Sequence, residues 1–420
     1  MRLFGKFIEN LCLKRLFDER VSLERKKRRY SVGDYLVSLT YGLVLGFNRV
    51  SDNILLQLDN TFQRVTRIER FPSQSAFSRF LAQFKVCNAK EIGEVSRSLL
   101  RDVRMGFRGK RSVTLDLDSH QKVVYGNQQR ASKGVNPKKP GRKSYHPLLC
   151  FMGETRDFLH GRFRSGRAYT SKGIISFFRE CLRFLPDAVT TVKVRADSGF
   201  YNAKFFRVME SVRKRDVRYA IAVKLYSSIQ QRLPYLDYKD IGGGREIAEF
   251  RYKNSDKDDN KERHMVVVRE KIKGGRKKKQ LSMFPDDKHS YQVIATNIEE
   301  WSPLEVWHFY NGRANVENMI KEGVLDLGLD TSPSHWYGGN AAYFFLCMLV
   351  YNLINWYKEF VFGIRKVKHM VKWMRYRFFY MAGKLVKSGR RKVFKLPRGH
   401  PWREHCQEAE RRLAVWQPGY

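Results

Sequence analysis

The sequence predicts an α/β fold: a mixed sheet with helices on both faces, preceded by an all-α N-terminal region and followed by C-terminal helices. Apolar residues in the first hundred positions recur at helical spacing. From Val113 onward the apolar period drops to two, in short runs separated by turn residues. Those runs then alternate with helical stretches: three strands, helix, strand, helix, strand.

Within the N-terminal region, P-S-Q-S-A-F-S-R-F-L-A-Q-F offers Ser73 as an N-cap, followed by Phe77, Phe80, Leu81 and Phe84 on one stripe. Its other face carries Arg79, Gln83 and Lys85, which suits either a DNA-recognition helix or a basic surface helix in a bundle. The run Arg25 to Arg29 adds phosphate-binding potential without base readout. The expected strands are V-T-L-D-L-D, P-L-L-C-F-M-G and F-L-H-G-R-F, then V-K-V-R-A-D and V-R-Y-A-I-A-V-K-L after intervening helices. Between Tyr226 and Asn297 a β-rich insertion is expected, containing G-G-G, M-V-V-V, K-G-G-R-K-K-K and Y-Q-V-I-A-T-N. Helices resume near Pro303 and run to about Tyr380, before a basic tail.

The 420 residues carry 81 lysines and arginines against 42 acidic residues, a net charge of +39. Such a charge exceeds what solubility needs and implies a polyanionic partner, with nucleic acid preferred over an anionic membrane surface. Ala341 to Tyr357 is apolar but short and contains Asn352 and Asn355, which marks a core helix better than a membrane span. The N-terminus has no apolar core of the kind a signal peptide needs, so a cytoplasmic, nucleoid-associated protein is expected. Six scattered cysteines without metal-ligand spacing read as free thiols.

Against this basic background the carboxylates at strand ends stand out. Asp116 and Asp118 share one face of a strand, and two such charges repel unless something positive lies between them. Asp197 ends V-K-V-R-A-D at the sheet rim, as a functional group or as a helix N-cap. Tyr310, Arg313, Glu317 and Lys321 fall at helical spacing on one polar stripe, which is a functional face or a set of surface ion pairs. Asp118, Asp197 and Glu317 together would offer hard oxygen ligands to Mg²⁺ or Mn²⁺, and two such ions serve in-line displacement at phosphorus. Trp301 and Trp307 stand ready either to stack on an unpaired base or to pack in a core.

Four segments, L-D-L-D-S-H, K-G-V-N-P-K-K-P-G-R-K-S-Y-H-P-L-L, R-A-D-S-G-F and Y-N-G-R-A-N-V-E-N-M-I-K-E, with the weaker G-K-L-V-K-S-G-R-R, carry a resemblance. In this order the chain resembles the DDE transposases of bacterial insertion sequences, in the superfamily with a Tyr-x2-Arg-x3-Glu signature. The resemblance implies a ribonuclease-H-like (retroviral-integrase-like) catalytic core interrupted by the β-rich insertion, with divisions at 1–108, 109–225, 226–300, 301–360 and 361–420. It implies a catalytic and metal-binding triad of Asp118, Asp197 and Glu317, with Asp116 as alternative or supporting carboxylate. Tyr310 and Arg313 fall on its DNA-backbone contacts. Lys321, Lys138, Lys139, Arg142 and Lys143 are further expected DNA-binding residues, from the helix stripe and the basic loop. The position of the signature lysine holds Val324, and the first aspartate is followed by Ser119 and His120. The implied activity is cleavage of double-stranded DNA at terminal inverted repeats and joining of the 3′-hydroxyls to target DNA, by a homodimer using two Mg²⁺ or Mn²⁺ ions. A nuclease without strand transfer, or an inactivated DNA-binding derivative, is the alternative.

Overall fold

The computed structural model describes residues 1–24, 29–68, 70–104, 109–134, 136, 139–253, 261–272, 288–364, 370–389, 391–395, 397 and 399–418. Arg25 to Arg28, Lys138, the basic loop at 273–279 and Arg390 lie outside the described residues.

Seven helices open the chain: α1 (Arg2–Asn10), α2 (Leu13–Arg20), α3 (Val32–Val44), α4 (Ile54–Leu58), α5 (Asn60–Thr66), α6 (Gln74–Ala82) and α7 (Val86–Val103). Ser73 caps α6 by accepting the Ala76 N–H, and Ser31 with Asp34 forms a capping box at α3. Phe77, Phe80 and Leu81 are buried, and Tyr35 stacks on Phe80 with ring centroids 4.3 Å apart. The apolar stripe of α6 is thus core, while Arg79 on its other face is exposed.

The strands follow: β1 (Ser112–Ser119), β2 (Lys122–Val123), β3 (Ser132–Lys133), β4 (Lys143–Tyr145), β5 (Leu148–Met152) and β6 (Phe158–Arg162). After α8 (Ile174–Phe184) come β7 (Thr191–Ala196), α9 (Ala203–Glu210), β8 (Asp216–Ala222) and the short α10 (Ser227–Gln230). Then β9 (Lys239–Gly242), β10 (Arg245–Lys253), β11 (Glu262–Lys271) and β12 (His289–Thr296) complete a nine-stranded sheet ordered β6-β5-β1-β7-β8-β12-β11-β10-β9. Its first five strands in chain order lie 3-2-1-4-5, with β5 antiparallel to β1, β6 antiparallel to β5, and β7 and β8 running parallel to β1. That is the order of a ribonuclease-H-like core.

The insertion strands are no separate body, because β12 pairs antiparallel with β8 and carries the sheet onward. Alternation explains the join. Tyr219 and Ile221 of β8, with Val267 and Val293, enter the main core, whereas Ala220, with Val266, Val268 and Ile294, enters a second core on the opposite face. Both faces being apolar, the β8 edge is buried by another strand rather than left to solvent.

The second core is closed by α11 (Pro303–Asn311), through Val306 and Tyr310. Next come α12 (Ala314–Leu327) and α13 (Tyr337–Trp356). α13 is the one helix among the described residues long and apolar enough to cross a membrane, and its apolar window is wholly buried, packed against α3, α6, α7 and β6. Asn352 is satisfied there: its Oδ1 accepts the Phe158 N–H and its Nδ2 donates to the Phe158 carbonyl, both at 2.8 Å. It thereby occupies backbone groups on the edge strand β6.

α14 (Val371–Met374) falls within the expected helical stretch, and beyond Tyr380, where a basic tail is expected, the chain forms a hairpin of β13 (Lys384–Ser388) and β14 (Arg391–Lys395), and then α15 (Arg403–Val415).

Beside α8, His160 sits with Nε2 2.8 Å from Glu180 Oε2 and Nδ1 3.3 Å from Arg97 Nη1. Burial pushes this imidazole from 6.5 down to about 4, and its hydrogen bond holds Glu180 down at about 2. Both shifts are downward, so both contributions are fully present at neutral pH and are lost on acidification. The unfolding midpoint is expected to fall between pH 6.5 and 4, where only the unfolded imidazole takes up a proton. A His160→Gln variant, followed by denaturant titration across that range, should show a shallower fall.

Candidate active site

The polar faces of two neighbouring strands build the site. In β1, Val113, Leu115 and Leu117 enter the main core, which turns Thr114, Asp116 and Asp118 to the opposite face. In β7, Val192, Val194 and Ala196 do the same, turning Lys193 and Arg195 to that face. The parallel register sets Asp116 beside Arg195 and Leu117 beside Ala196. One step further along both strands brings Asp118 next to Asp197, at the carboxyl ends where open sheets carry their sites.

Asp116 finds its positive partner in protein. Its Oδ1 accepts from Arg195 Nε at 2.6 Å and its Oδ2 from Arg195 Nη2 at 2.7 Å, a bidentate pair with the carboxylate fully buried. Sequence pattern does not single out Arg195 by itself. A signal is nonetheless present, since R-x-D in β7 copies the two-residue spacing of D-x-D in β1. Arg195 also donates through Nη1 to the Phe309 carbonyl at 2.9 Å.

That contact lies where the expected stripe passes from one helix to the next. Tyr310 stands in the last turn of α11 and Glu317 lies in α12, with Gly312 and Arg313 at the junction. A Cβ on Gly312 would collide with the Arg195 guanidinium, so only glycine allows this approach. Tyr310, Arg313 and Glu317 nonetheless stay in contact across the junction, and only Lys321 departs from the group. Tyr310 is buried in the second core, Arg313 is turned inward, and Glu317 is largely exposed. Lys321 is exposed and lines a different groove, with Asn318, Glu322 and Arg375. Val324 is partly buried against the main core.

Arg313 spans two carboxylates. Its Nη2 donates to Glu317 Oε1 at 2.9 Å and its Nη1 to Asp118 Oδ2 at 3.4 Å. Asp118 Oδ1 accepts the Ser119 N–H at 2.7 Å. Burial first, and then the charge of Asp197, raise the Asp118 carboxyl from 3.8 to about 7, with Glu317 adding to the rise and Arg313 opposing it. Asp197 caps the short turn Ser198–Phe200, its Oδ1 accepting the Gly199 N–H at 2.9 Å. The N-cap reading thus holds for Asp197, at the strand end beside Asp118. Among the described residues no three Asp, Glu, His or Cys side chains stand close enough together to hold a metal ion. The Arg313 guanidinium lies between Asp118 and Glu317.

Asp197 opens onto a cavity of about 1210 Å³. Its floor includes Ser119 and His146. The imidazole Nδ1 lies 2.7 Å from the Ala168 carbonyl and so carries the proton, which leaves Nε2 to accept the Ser119 hydroxyl at 3.0 Å. Nothing in Y-H-P-L-L marks His146 for this position. His120 is engaged with Asp330 at 2.5 Å. One wall includes Val123 of β2 with Val124, Tyr125, Asn136 and Lys139, beside the small sheet β2-β4-β3, where the sequence suggests only a basic loop. There Lys139 Nζ donates to the Tyr125 hydroxyl at 2.8 Å, Arg142 lies over the same ring, and Lys143 Nζ donates to Asn127 Oδ1 at 3.0 Å. Trp301 and Trp307 are partly buried against the second core, Trp307 Nε1 donating to Gln292 Oε1 at 3.1 Å, as core packing requires. All six cysteines are free.

A comparison with curated proteins returns no match. Among solved structures, the cryo-EM structure of a piggyBac transposase synaptic complex with hairpin DNA aligns over 89% of this chain and 78% of that chain, at 14% identity and a TM-score of 0.49. The sequence matches the family described as "Transposase DDE domain group 1" over residues 2–418. With nearly the whole chain matched, this protein belongs to that DDE transposase family, whose members are enzymes of DNA transposition.

Proposed function

We propose that this chain binds the terminal inverted repeats of an insertion sequence, in the superfamily with the Tyr-x2-Arg-x3-Glu signature, cleaves the ends and joins the 3′-hydroxyls to target DNA. The observation that carries this reading is the gathering of Asp118 and Glu317 on one guanidinium, with the charge of Asp197 acting on Asp118, in a chain of net charge +39. DDE transposases generally use divalent metal ions, and the donor chemistry here fits one. Three carboxylates offer hard oxygens, and Asp118, raised by burial and then by the charge of Asp197, is a carboxylate that a nearby cation would favour in its ionised form. Glu317 is exposed enough to turn from Arg313 toward the two aspartates. A pair of divalent ions, when bound, supplies Lewis-acid polarisation of the phosphoryl group and lowers the pKa of an attacking water.

The chain's own residues do the rest. Asp118 and Asp197 are held at fixed strand ends, the first by the Ser119 N–H and the second by its turn. Arg313, freed when Glu317 turns away, is placed to bind a phosphate at the cleaved end bidentately. Tyr310 backs Arg313 from within the second core. Lys139, Arg142 and Lys143 serve as phosphate contacts beside the cavity, and Lys321, in its own groove on α12, is a further one; Lys138 belongs to the same basic sequence run. Two copies acting together would handle two ends.

Incubation of the protein with a labelled end fragment and a plasmid, with Mg²⁺, tests the reading directly. Cleavage followed by insertion is expected; cleavage without joined product would favour a nuclease. Replacing Lys139, Arg142 and Lys143 by alanine should flatten the salt dependence of DNA affinity by about 0.9 in log–log slope for each phosphate no longer neutralised. Anisotropy titrations from about 50 to 200 mM salt, a span over which phosphate neutralisation is readily measured, provide the readout. An unchanged slope would remove the loop from the DNA path.

A further inference from the structure

From Phe360 to Arg403 the sequence contains 14 lysines and arginines and not one aspartate or glutamate. The β13–β14 hairpin stands in the middle of this stretch. Its two strands pair only with each other among the described residues. Two-stranded hairpins without a supporting layer are marginal in water. This one carries a further burden, since the register sets Lys384 opposite Lys395, and like charges directly opposed are destabilising.

Its base is rigid by contrast. The Arg377 guanidinium lies 4.5 Å from the Trp373 ring and 4.1 Å from the Trp402 ring, clasping the segment before the hairpin to the segment after it. Phe378 and Phe379 are buried just ahead of the hairpin, and Cys406, Ala409 and Leu413 of α15 are buried behind it. Gly389, with φ of 59°, makes a tight turn at the tip. The chain thus anchors both feet of a ribbon and exposes Lys384, Lys387 and Lys395 along it.

We propose that this ribbon is a DNA-gripping arm, separate from the catalytic carboxylates, that seats in the major groove of B-form duplex DNA with its lysines on the flanking phosphates. The cationic charge supplies affinity for a polyanion, and the shape selects among polyanions. A two-stranded ribbon enters a groove about 12 Å wide, whereas the major groove of duplex RNA is too narrow and deep for it. The five-residue strands reach about 17 Å, enough to cross the groove. The inference rests on the reading of the chain as a DNA-binding transposase only for the identity of the polyanion.

The test uses the full-length chain with Lys384→Ala, Lys387→Ala and Lys395→Ala combined. Removing opposed like charges relieves the hairpin, so lower affinity would not come from its unfolding, and circular dichroism serves as the check. On duplex DNA the slope of log affinity against log salt is expected to shrink by about 2.7, three phosphates at about 0.9 each. Duplex RNA of equal length should show little change. An unchanged DNA slope would overturn the arm, and an equal loss on RNA would overturn its seating in a B-form groove. An Asp197→Asn protein should keep the full slope. Failure of that variant to lose cleavage would instead strike the active-site assignment and leave the arm standing.

Discussion

Replacing Asp197 by asparagine is expected to abolish cleavage of a labelled DNA end while leaving DNA binding within error. The amide keeps the acceptor oxygen that caps Ser198–Phe200, so the turn survives. What disappears is one negative charge from the carboxylates proposed to hold cations. Such ions contribute several kcal/mol of charge stabilisation to the transition state. At about 1.36 kcal/mol per decade, a loss of about three orders of magnitude or more in rate follows. Asp118→Asn should behave alike. Single-turnover cleavage at saturating protein separates this from a binding defect. Residual cleavage within about tenfold of the parent would sink the assignment.

Arg195→Met is expected to produce the largest loss of stability among single substitutions near the site. Removing the guanidinium leaves the Asp116 carboxylate buried without its partner, and breaking one side of a buried pair costs about 3–5 kcal/mol. The Asp116→Leu/Arg195→Met double variant should recover most of it, because a buried pair is often no better than apolar residues of like volume. Denaturant midpoints of the three proteins measure this. A single variant within about 0.5 kcal/mol of the parent would mean that Arg195 is dispensable. The double variant should nonetheless cleave poorly, since Arg195 also holds the Phe309 carbonyl and the α11–α12 junction from which Arg313 and Glu317 are presented.

The two aspartates of β1 thus divide. Asp118 faces the acidic cluster, while Asp116 is neutralised within the protein and secures the helix that carries the third carboxylate. Alternation makes both strands and their polar faces legible, because V-T-L-D-L-D and V-K-V-R-A-D each sort cleanly into apolar and polar positions. Periodicity cannot show the break at Gly312. The stripe from Tyr310 to Lys321 continues smoothly in sequence, and the arginine that meets the junction lies 117 positions upstream of Gly312. The small sheet beside the cavity is hidden for a related reason: strands of two or three residues have no period, and only their distant partners make them strands. The hairpin at Lys384 to Lys395 is masked by its charge, which reads as solvated tail. The insertion strands are legible as strands, but their fusion to β8 depends on a core that α11 closes from later in the chain.

The packing of α3, α6 and α7 around α13 sets a limit on modularity. In many nucleic-acid enzymes the recognition half can be exchanged like a cassette. Here Phe77, Phe80, Ile92, Val95 and Leu99 share one continuous core with Phe344, Leu349 and Leu353. A fragment ending near residue 108 would leave that apolar face bare. Exchanging residues 1–108 for another helical unit would therefore require rebuilding the core around α13 as well.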